Sequence, residues 1–356
     1  MELTRRSLLA LAGASLIPVA PLRASDGISV PSVERLELTV LIDSTTGVFG
    51  MPISRPDLHV MPPPITADYR TAFAGQWGYS MLAAASTGGK SHKILIDFGY
   101  TSAALLNNML LLGIAPETID AMVLSHGHYD HFGGLDGFLA GGKVRHGTPL
   151  FVGGEEAFCA RIRGTDPDGP SFGAIDLSAI RKAGLDLVVS GEPKLVAGSG
   201  FTTGKIPFVS AEHPRVPTAM LPGQNCDRTL LDPAKRDKTF MVDDAEHELG
   251  TAFNVAGRGL VVIGSCSHRG IINTVRRAQA VSGIDKIHAI VGGFHLIPPQ
   301  TRDQALATLT MMQALAPDYV IPGHCSGEAF ISAAMAAMPE RIIRSVVGTR
   351  YIFGIA

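Results

Sequence analysis

The sequence predicts a layered α/β fold whose functional groups lie at the ends of strands. Short apolar runs alternate with segments of helical periodicity along most of the chain, as in proteins that pack helices against sheets. At least four predicted strands end in a loop that contains His or Asp, and such loops carry the chemistry in layered α/β folds. The 40 glycines and 23 prolines, against 6% aromatic residues, favour a loop-rich α/β protein over a helical bundle.

Composition and charge exclude several classes of protein. With 46% hydrophobic and 17% charged residues over 356 positions, the chain is neither disordered nor a coiled coil nor a collagen-like fibre. Its length fits about two domains or one large sandwich. The formal net charge of −2 argues against a nucleic-acid or membrane-surface partner. No apolar run reaches the roughly 18 to 20 residues of a membrane-spanning helix, so we expect no stable membrane anchor.

Residues 1–24 have the layout of a secretory signal. The pair Arg5-Arg6 precedes the apolar stretch Leu8–Val19, and a small residue, Ala24, ends the segment. The order Thr-Arg-Arg-Ser-Leu-Leu resembles the twin-arginine export signal of bacteria, whereas the alternative is an ordinary helix with a chance arginine pair. We therefore expect the twin-arginine export machinery as a partner, a periplasmic location and a mature domain over residues 25–356.

Periodicity gives the elements of the first half of the domain. Alternating apolar residues predict strands, and leucines at helical spacing predict the first helix. The predicted strands cover 33–42, 92–97, 119–124 and 149–152, and the predicted helices cover 101–112 and about 134–140. From residue 153 the pattern weakens, and we interpret the region of about 150–235 as an insertion that caps the site rather than an independent domain.

The strand and helix rhythm returns in the second half. A hairpin is predicted around Ala256-Gly257-Arg258-Gly259, and the strands predicted at 260–263, 287–291 and 319–321 each lead into a loop that contains a histidine. The predicted strands cover 252–255, 260–263, 287–291, 319–321 and 341–346, and the predicted helices cover 270–281, 302–315 and 328–337.

The chain contains four cysteines, Cys159, Cys226, Cys266 and Cys325. An even number in an exported protein permits disulfides, but none of the four forms a C-x-x-C pair. A chain of this length buries a large core without covalent links, so we predict no disulfide framework.

One segment concentrates metal-binding chemistry. His126, His128, Asp130 and His131 fall within six residues, and imidazole and carboxylate are the usual ligands of zinc and its neighbours. A tight turn at a strand end can direct the first two side chains one way and the last two another. That arrangement suits two metals about 3.5–4 Å apart, as in two-metal hydrolases. The alternative, a surface cluster of polar turn residues, is disfavoured by the regular spacing of the motif.

The motif resembles that of the metallo-β-lactamase superfamily, and further segments resemble one branch of it. That branch includes dihydropterin–ribofuranosylaminobenzene phosphate synthases and bacterial members of unknown substrate. The resemblance covers about 35–135 and 235–350. The similar segments are LLNNMLLLGIAPETIDAMVLSHGHYDHFGGL at 105–135, VVIGSCSHRGIINTV at 261–275, VGGFHL at 291–296 and VIPGHCSG at 320–327.

The resemblance implies an αββα sandwich of two mixed β-sheets with outer helices and metals at one edge. It implies His268, in a Cys-Ser-His motif, as a further ligand and His324, in Pro-Gly-His, as the final one. The family's bridging Gly-Asp motif is absent, and Ser265-Cys266 stands in its place. Cys266 is therefore either a thiolate ligand or a small buried residue.

The resemblance also implies roles for residues around the ligands. Asp97 matches an Asp-x-Gly motif whose carboxylate orients ligand histidines; the alternative is an Asp that stabilises a turn. His295, at a strand end in Gly-Gly-Phe-His, is assigned to metal binding or to another role in the pocket such as donation to substrate, with a structural role as the alternative. His247 lies near the superfamily's middle histidine, although the branch usually has none there.

Three residues are candidates for contact with substrate. Asn108 and Asp243 match the branch, and Arg269, directly after His268, is a cation placed to hold an anionic group. The alternatives are a solvated turn for Asp243 and a surface role for Arg269, and the role of Asn108 is left open. No organic cofactor site is predicted. No Arg/Lys cluster or Gly-rich phosphate cradle stands out near the motif loops, which argues against a phosphorylated pterin-pathway substrate.

Together these features predict an exported metal-dependent hydrolase that acts on a small-molecule ester, lactone or phosphoester. One or two divalent metal ions are expected, zinc first, with iron or manganese as alternatives. The metal would lower the pKa of water toward about 7, and Asp130 would bind the second ion and orient that water. The alternatives are a pterin-type synthase or transferase, a di-iron oxidoreductase, and a metal-binding protein without catalysis.

Overall fold

A computed structural model describes residues 27–47, 49–213 and 216–354. The predicted signal at 1–24 lies outside the described residues. The strands are β1 (Ser32–Val33), β2 (Arg35–Ile42), β3 (Ile53–Arg55), β4 (Leu58–Met61), β5 (Ser80–Thr87), β6 (Lys90–Ile96), β7 (Ala121–Leu124), β8 (Pro149–Val152), β9 (Ala160–Arg163), β10 (Ser171–Gly173), β11 (Asp186–Val189), β12 (Lys194–Val196), β13 (Gly200–Thr202), β14 (Thr218–Leu221), β15 (Met241–Val242), β16 (Thr251–Val255), β17 (Gly259–Gly264), β18 (Ile287–Gly292), β19 (Tyr319–Pro322) and β20 (Arg350–Gly354).

The α-helices are α1 (Ser102–Leu111), α2 (Tyr129–Phe132), α3 (Leu135–Ala140), α4 (Leu177–Lys182), α5 (Pro233–Arg236), α6 (Ile271–Ser282), α7 (Arg302–Leu315) and α8 (Glu328–Ala337). Side chains fix the start of two of the long ones. Thr101 accepts a hydrogen bond from the backbone N–H of Ala104 at α1, and Thr301 with Gln304 forms a capping box at α7.

Two large mixed sheets pack face to face. One has nine strands in the order β11-β8-β7-β6-β5-β2-β20-β4-β3, and the other has the order β12-β13-β16-β17-β18-β19, with β1 beside β16. Their facing side chains form one buried cluster that contains Val40 of β2 and Met81 of β5 from the first sheet. The same cluster contains Phe253 of β16 and Ile263 of β17 from the second sheet. This cluster is the middle of the sandwich.

Helices cover the outer faces of both sheets. Leu105 of α1 and Phe138 of α3 pack with Met122 of β7 on the nine-stranded sheet. On the other sheet, α6, α7 and α8 pack against Val262 and Ile290. The predicted αββα sandwich of two mixed sheets with outer helices is therefore confirmed.

Parallel strands bring the predicted functional loops to one edge. β6, β7 and β8 run parallel in the first sheet, and β17, β18 and β19 run parallel in the second. The carboxyl ends of parallel neighbours meet at the same edge of a sheet. The loops that contain Asp97, the His126–His131 motif, His268, His295 and His324 each follow one of these strands.

The inserted region supplies three strands of a third sheet that the sequence did not predict, and β15, just after it, supplies the fourth. Its four strands pair in the order β10-β9-β14-β15. A disulfide joins Cys159, just before β9, to Cys226, which follows the turn after β14. The prediction of no disulfide framework is therefore wrong for this region. That prediction was based on the large hydrophobic core, which belongs to the sandwich. The disulfide lies instead beside the small four-stranded sheet.

One predicted strand is wrong. Residues 341–346 run alongside β19 and form a single bridge, between Ile342 and Val320, with backbone hydrogen bonds from Ile343 to Val320 and from Ser345 to Pro322, but they do not form a regular strand. The last strand is β20, which pairs antiparallel with β2 inside the nine-stranded sheet. Strands β3, β4 and β5 were not predicted. Within the described ranges, none of the helices combines the length and apolar character needed to cross a bilayer.

Candidate metal centre

The loop after β7 divides its four metal-competent side chains between two groups. His126 follows strand β7, and His128 has extended backbone just before α2, which begins at Tyr129, so Asp130 and His131 lie on a helical turn. The ligand atoms of His126 and His128 lie within 4.8 Å of each other and of an atom of His268. The structure thus forms a first group that we call the histidine trio: His126, His128 and His268.

A second group forms beside it. The ligand atoms of Asp130, His131 and His324 also lie within 4.8 Å of one another, and we call this set the mixed trio. Asp130 Oδ2 lies 3.5 Å from His324 Nε2 and 3.8 Å from His131 Nε2. The rings of His126 and His131 are 4.1 Å apart, so the two trios are adjacent. All six residues predicted as ligands are brought together.

Buried nitrogens without partners make both trios suitable for metal ions. His126 Nε2, His131 Nε2 and both ring nitrogens of His268 and His324 are buried and accept or donate no hydrogen bond among the described residues. Unpaired buried polar atoms are costly unless an ion or water engages them. Burial, reinforced by neighbouring imidazoles, holds the pKa of His126 and His268 well below its usual range, which favours the neutral, metal-binding form. The residues present therefore fit divalent cations.

Two glycines allow the metal loop to approach its surroundings closely. A Cβ on Gly127, between the first two histidines, would collide with the carbonyl oxygen of Ala157 in the inserted region. A Cβ on Gly134 would collide with the carbonyl oxygen of Phe98. Gly134 has an ordinary helical φ of −80°, so close packing rather than an unusual backbone conformation requires glycine there.

Asp97 lies directly behind the motif. Its carboxylate accepts hydrogen bonds of 2.7 Å from the backbone N–H and from the hydroxyl of Ser125. It also lies 2.7 Å from His131 Nδ1, which leaves Nε2 of that ring for an ion. Ser125 Oγ is in turn 2.9 Å from His126 Nδ1. Asp97 has a φ of +56°, a conformation tolerated by Asp, and it orients one histidine of each trio.

His128 is held from the inserted region. Its Nε2 lies 2.9 Å from Thr218 Oγ1 and 3.5 Å from Asp243 Oδ2, so Nδ1 is the nitrogen available to an ion. Asp243 in turn accepts a 2.5 Å hydrogen bond from Nε of the buried Arg161. Although burial acts in the opposite direction, Arg161 keeps the pKa of Asp243 well below its usual range. Asp243 therefore orients His128 rather than facing a substrate.

His247 contacts the metal loop without joining either trio. Its Nε2 accepts a hydrogen bond of 3.1 Å from the backbone N–H of Gly127 and lies 3.2 Å from a guanidinium nitrogen of Arg161. That nitrogen is occupied, so the described geometry favours a positioning role for His247. Sequence reasoning missed Arg161 because nothing in its neighbourhood marks a buried cation.

Buried carboxylates hold the other two ligand loops. Glu248 accepts hydrogen bonds from the backbone N–H groups of His268 and Arg269 at 2.8 and 2.7 Å, and burial raises its pKa to about 7. Asp43 accepts one from the backbone N–H of His324 at 3.0 Å. Asp43 ends the segment VLID at 40–43 as Asp97 ends ILID at 94–97, a repeat that could have identified it.

Two free cysteines and His295 complete the cluster. Cys266 Sγ lies within 4.8 Å of ligand atoms of both His126 and His131, between the trios, where the resemblance places a bridging residue. Burial raises the pKa of the Cys266 thiol well above its usual range. Its sulfur is 3.1 Å from Cys325 Sγ and 3.4 Å from His295 Nδ1. His295 Nε2 is buried and unpartnered, and its ring is 4.1 Å from that of His268.

A cavity of about 310 Å³ opens above both trios. Such a volume is at the lower end of the range for small-molecule sites. Strands β9, β10 and β14 and the residue before β14 supply part of its wall. The lining residues are Trp77, Tyr100, His128, Asp130, Arg163, Phe172, Pro217, Thr218, Cys266, His268, His295, Ile297, His324 and Cys325.

Two predicted substrate residues do not line this cavity. Asn108 is completely buried, and its amide bonds to the backbone of Leu41 and Ala74, because it ties α1 to neighbouring segments. The Arg269 guanidinium donates to the carbonyl oxygens of Ile206 and Asp244 and lies 3.6 Å from the centroid of the Phe208 ring. Both side chains are thus engaged elsewhere.

The fold and the paired trios define a protein of the metallo-β-lactamase superfamily, and the chain belongs to that family. The superfamily's sequence profile matches residues 79–209. A curated relative from Methanocaldococcus jannaschii is 31% identical over 265 residues, 73% of this chain and 84% of that protein. Its name is 7,8-dihydropterin-6-methyl-4-(beta-D-ribofuranosyl)-aminobenzene-5'-phosphate synthase. The resemblance to the superfamily and to this branch is confirmed.

Two further comparisons found similar proteins. An uncharacterized protein of the same organism is 30% identical over 263 residues, 73% of this chain and 87% of that protein. The solved structure of Tm1679, described as a metal-dependent hydrolase of the β-lactamase superfamily, aligns with a TM-score of 0.64. That alignment covers 88% of this chain and 98% of the other at 21% identity, so it supports the fold alone.

Proposed function

We propose that this chain is a metal-dependent hydrolase that cleaves an ester, lactone or phosphoester of a small molecule. One observation carries the proposal. Two adjacent trios of buried ligands, with unpartnered nitrogens, lie at the base of an open cavity. Paired metal sites beneath a substrate-sized opening suit metal-assisted hydrolysis.

Each trio would hold one divalent ion, zinc first, with iron or manganese as alternatives, since mixed nitrogen and oxygen ligands accept all three. Bound ions of this class lower the pKa of water toward about 7 and polarise a carbonyl or phosphoryl oxygen. Asp130, which reaches the cavity surface, accepts a hydrogen bond from the attacking water and orients it. His295 also lines the cavity, its buried Nε2 has no hydrogen-bond partner among the described residues, and it donates a proton to the leaving group.

A synthase or transferase is the second candidate, because the curated relative is named as a synthase at 31% identity. Hydrolysis is favoured here by the predicted export of this chain. The relative's name describes a phosphorylated aminobenzene product, and we infer that a periplasmic enzyme would not meet the intermediates of such a synthesis. The proposal includes export by the twin-arginine route and a periplasmic location, both supported by the Arg5-Arg6 signal alone.

A substrate panel tests the proposal. The mature protein 25–356 is reconstituted separately with Zn²⁺, Mn²⁺ and Fe²⁺ and assayed on aryl esters, lactones, phosphoesters and β-lactams, and for pterin condensation. We expect hydrolysis of at least one class in a metal-loaded form. Asp130→Asn and His295→Ala should each lower turnover by at least about tenfold, whereas His59→Ala, at β4 away from the trios, should not.

The other outcomes separate the alternatives. Robust condensation without hydrolysis would establish the synthase. Redox turnover confined to the iron form would establish a di-iron oxidoreductase, and tight metal binding without any turnover would indicate a metal-binding protein.

A further inference from the structure

The rim of the cavity combines one cation with three aromatic rings. Arg163 ends β9, and Trp77, Tyr100 and Phe172 line the same opening. We call these four residues the aromatic rim. The cavity wall is otherwise formed by the metal-competent side chains, the two free cysteines and the uncharged residues Pro217, Thr218 and Ile297. Among the residues described as lining this cavity, Arg163 is the one lysine or arginine.

Arg163 and Arg161 are two residues apart on one strand, so their side chains share a face that covers the metal loop. Their surroundings differ. Arg161 is buried and paired with Asp243 behind His128. Arg163 is exposed and, within the described residues, forms no ion pair with a carboxylate. Its charge is therefore not neutralised by the protein.

Aromatic contacts hold the Arg163 guanidinium at the opening. A terminal nitrogen donates a 3.0 Å hydrogen bond to the hydroxyl of Tyr100, and the guanidinium carbon lies 5.0 Å from the centroid of the Phe172 ring. Tyr100 also packs edge-on against Tyr129. Cation–π and hydrogen-bond contacts orient the guanidinium without satisfying all five of its N–H donors. The remaining donors are available to an anion.

We propose that the aromatic rim is a subsite for an anionic aromatic substrate, with Arg163 binding the anionic group and Trp77, Tyr100 and Phe172 contacting the ring. The assignment adds a substrate class to the proposed function. It rests on that function, because the bound molecule is a substrate only if the chain is a hydrolase. It replaces Arg269, whose guanidinium is engaged elsewhere, as the anion-binding residue of this chain. The subsite contributes to substrate binding and takes no part in the cleavage of the hydrolysed bond.

The single tryptophan of the chain provides a direct readout. Trp77 is 44% exposed, lines the cavity and lies 4.9 Å from the His324 ring, so its fluorescence reports ligands at the rim without any turnover. The probes are benzenesulfonate and its neutral analogue methyl phenyl sulfone. Sulfonate is a weak metal ligand, and the titration is repeated on chelator-treated protein, so that binding by Arg163 is distinguished from binding by ions.

We expect benzenesulfonate to bind about tenfold more tightly than the sulfone, the effect of one hydrogen-bonded charge at a partly exposed site. Arg163→Ala should abolish that preference and leave sulfone binding nearly unchanged. Arg163→Gln, which keeps much of the side-chain length, provides a second variant should the alanine variant misfold. Arg181→Ala, at the end of α4, is the matched control for net charge and should keep the preference.

Three results would overturn the subsite: equal binding of the two probes to wild type, a preference retained in both Arg163 variants, or a preference present only with metal. Because binding is read without catalysis, a failed hydrolysis panel would remove the proposed function while leaving the preference measurable. Hydrolysis of neutral esters by a protein that binds the two probes equally would support the proposed function and exclude the subsite.

Discussion

At the residue scale, three candidate ligands, His126, His128 and His131, are oriented by what the second ring nitrogen contacts. His131 Nδ1 is 2.7 Å from Asp97, and His128 Nε2 is 2.9 Å from Thr218 Oγ1. Such contacts fix the tautomer and the direction of the free nitrogen, and their loss commonly weakens metal binding. The ligands themselves were readable from the sequence because they occur in strand-end motifs. Thr218 was not, because it comes from the irregular insertion.

Asp97→Asn should lower metal affinity about 10- to 100-fold. The amide group keeps the size of the carboxylate but cannot accept all three hydrogen bonds from Ser125 and His131. The measurement is a competition titration of reconstituted protein with a chromogenic chelator. Asp120→Asn, which removes a partly exposed pair with Arg145, is the control. An unchanged affinity in a folded Asp97 variant would contradict the orienting role.

His247→Ala should weaken metal binding by about tenfold without lowering the number of ions bound. The substitution leaves the buried N–H of Gly127 and a nitrogen of Arg161 without their acceptor, yet removes no member of either trio. His247→Gln offers an acceptor at a similar distance and should restore part of the affinity. The check is affinity and stoichiometry measured together. Loss of one whole ion, with no rescue by Gln, would show that His247 is a ligand.

At the element scale, parallel strands assemble the site. Loops after β6, β7, β17, β18 and β19 each contribute side chains at one edge of the sandwich. Most of these strands could be predicted, since they are short buried runs that end in Gly, His or Asp. β20 could not, because its partner β2 lies more than three hundred positions earlier, and a local pattern does not identify a pairing so distant in sequence.

We expect the disulfide to stabilise the inserted sheet. Cys159 and Cys226 are separated by 67 positions, and closing a loop of that length restricts the unfolded chain. Replacing both by Ala should lower the free energy of unfolding by about 2 to 4 kcal/mol. Denaturant unfolding of the variant and of wild type, each with and without reductant, measures this difference. Wild type that is equally stable in both conditions would show that the link contributes nothing.

At the scale of the whole molecule, the sandwich was predictable because a resemblance accompanied the residue patterns. Composition and periodicity by themselves indicated only a layered α/β protein. The capping sheet was beyond prediction, because its strands of two to four residues are too short to show a period. The cap nonetheless forms part of the entrance to the two trios, since Arg163, Phe172 and Thr218 all belong to it and line the cavity.

Export can be tested on the full chain. Replacing Arg5 and Arg6 by lysine keeps the charge but loses the guanidinium geometry that a twin-arginine receptor would recognise. The precursor should then accumulate in the cytoplasm, as measured by cell fractionation and immunoblotting. Residues 25–356 expressed without the leader serve as the cytoplasmic control. Undiminished periplasmic recovery of the lysine variant would indicate the general secretory route.

The central claim is that the two trios bind metal, and elemental analysis of the mature protein measures this most directly. After reconstitution and removal of free ions, we expect between one and two transition-metal ions per chain. His126→Ala, His268→Ala and His324→Ala should each remove a large part of that metal, whereas His59→Ala should not. Reconstituted wild-type protein that is folded and contains no bound metal would contradict the account.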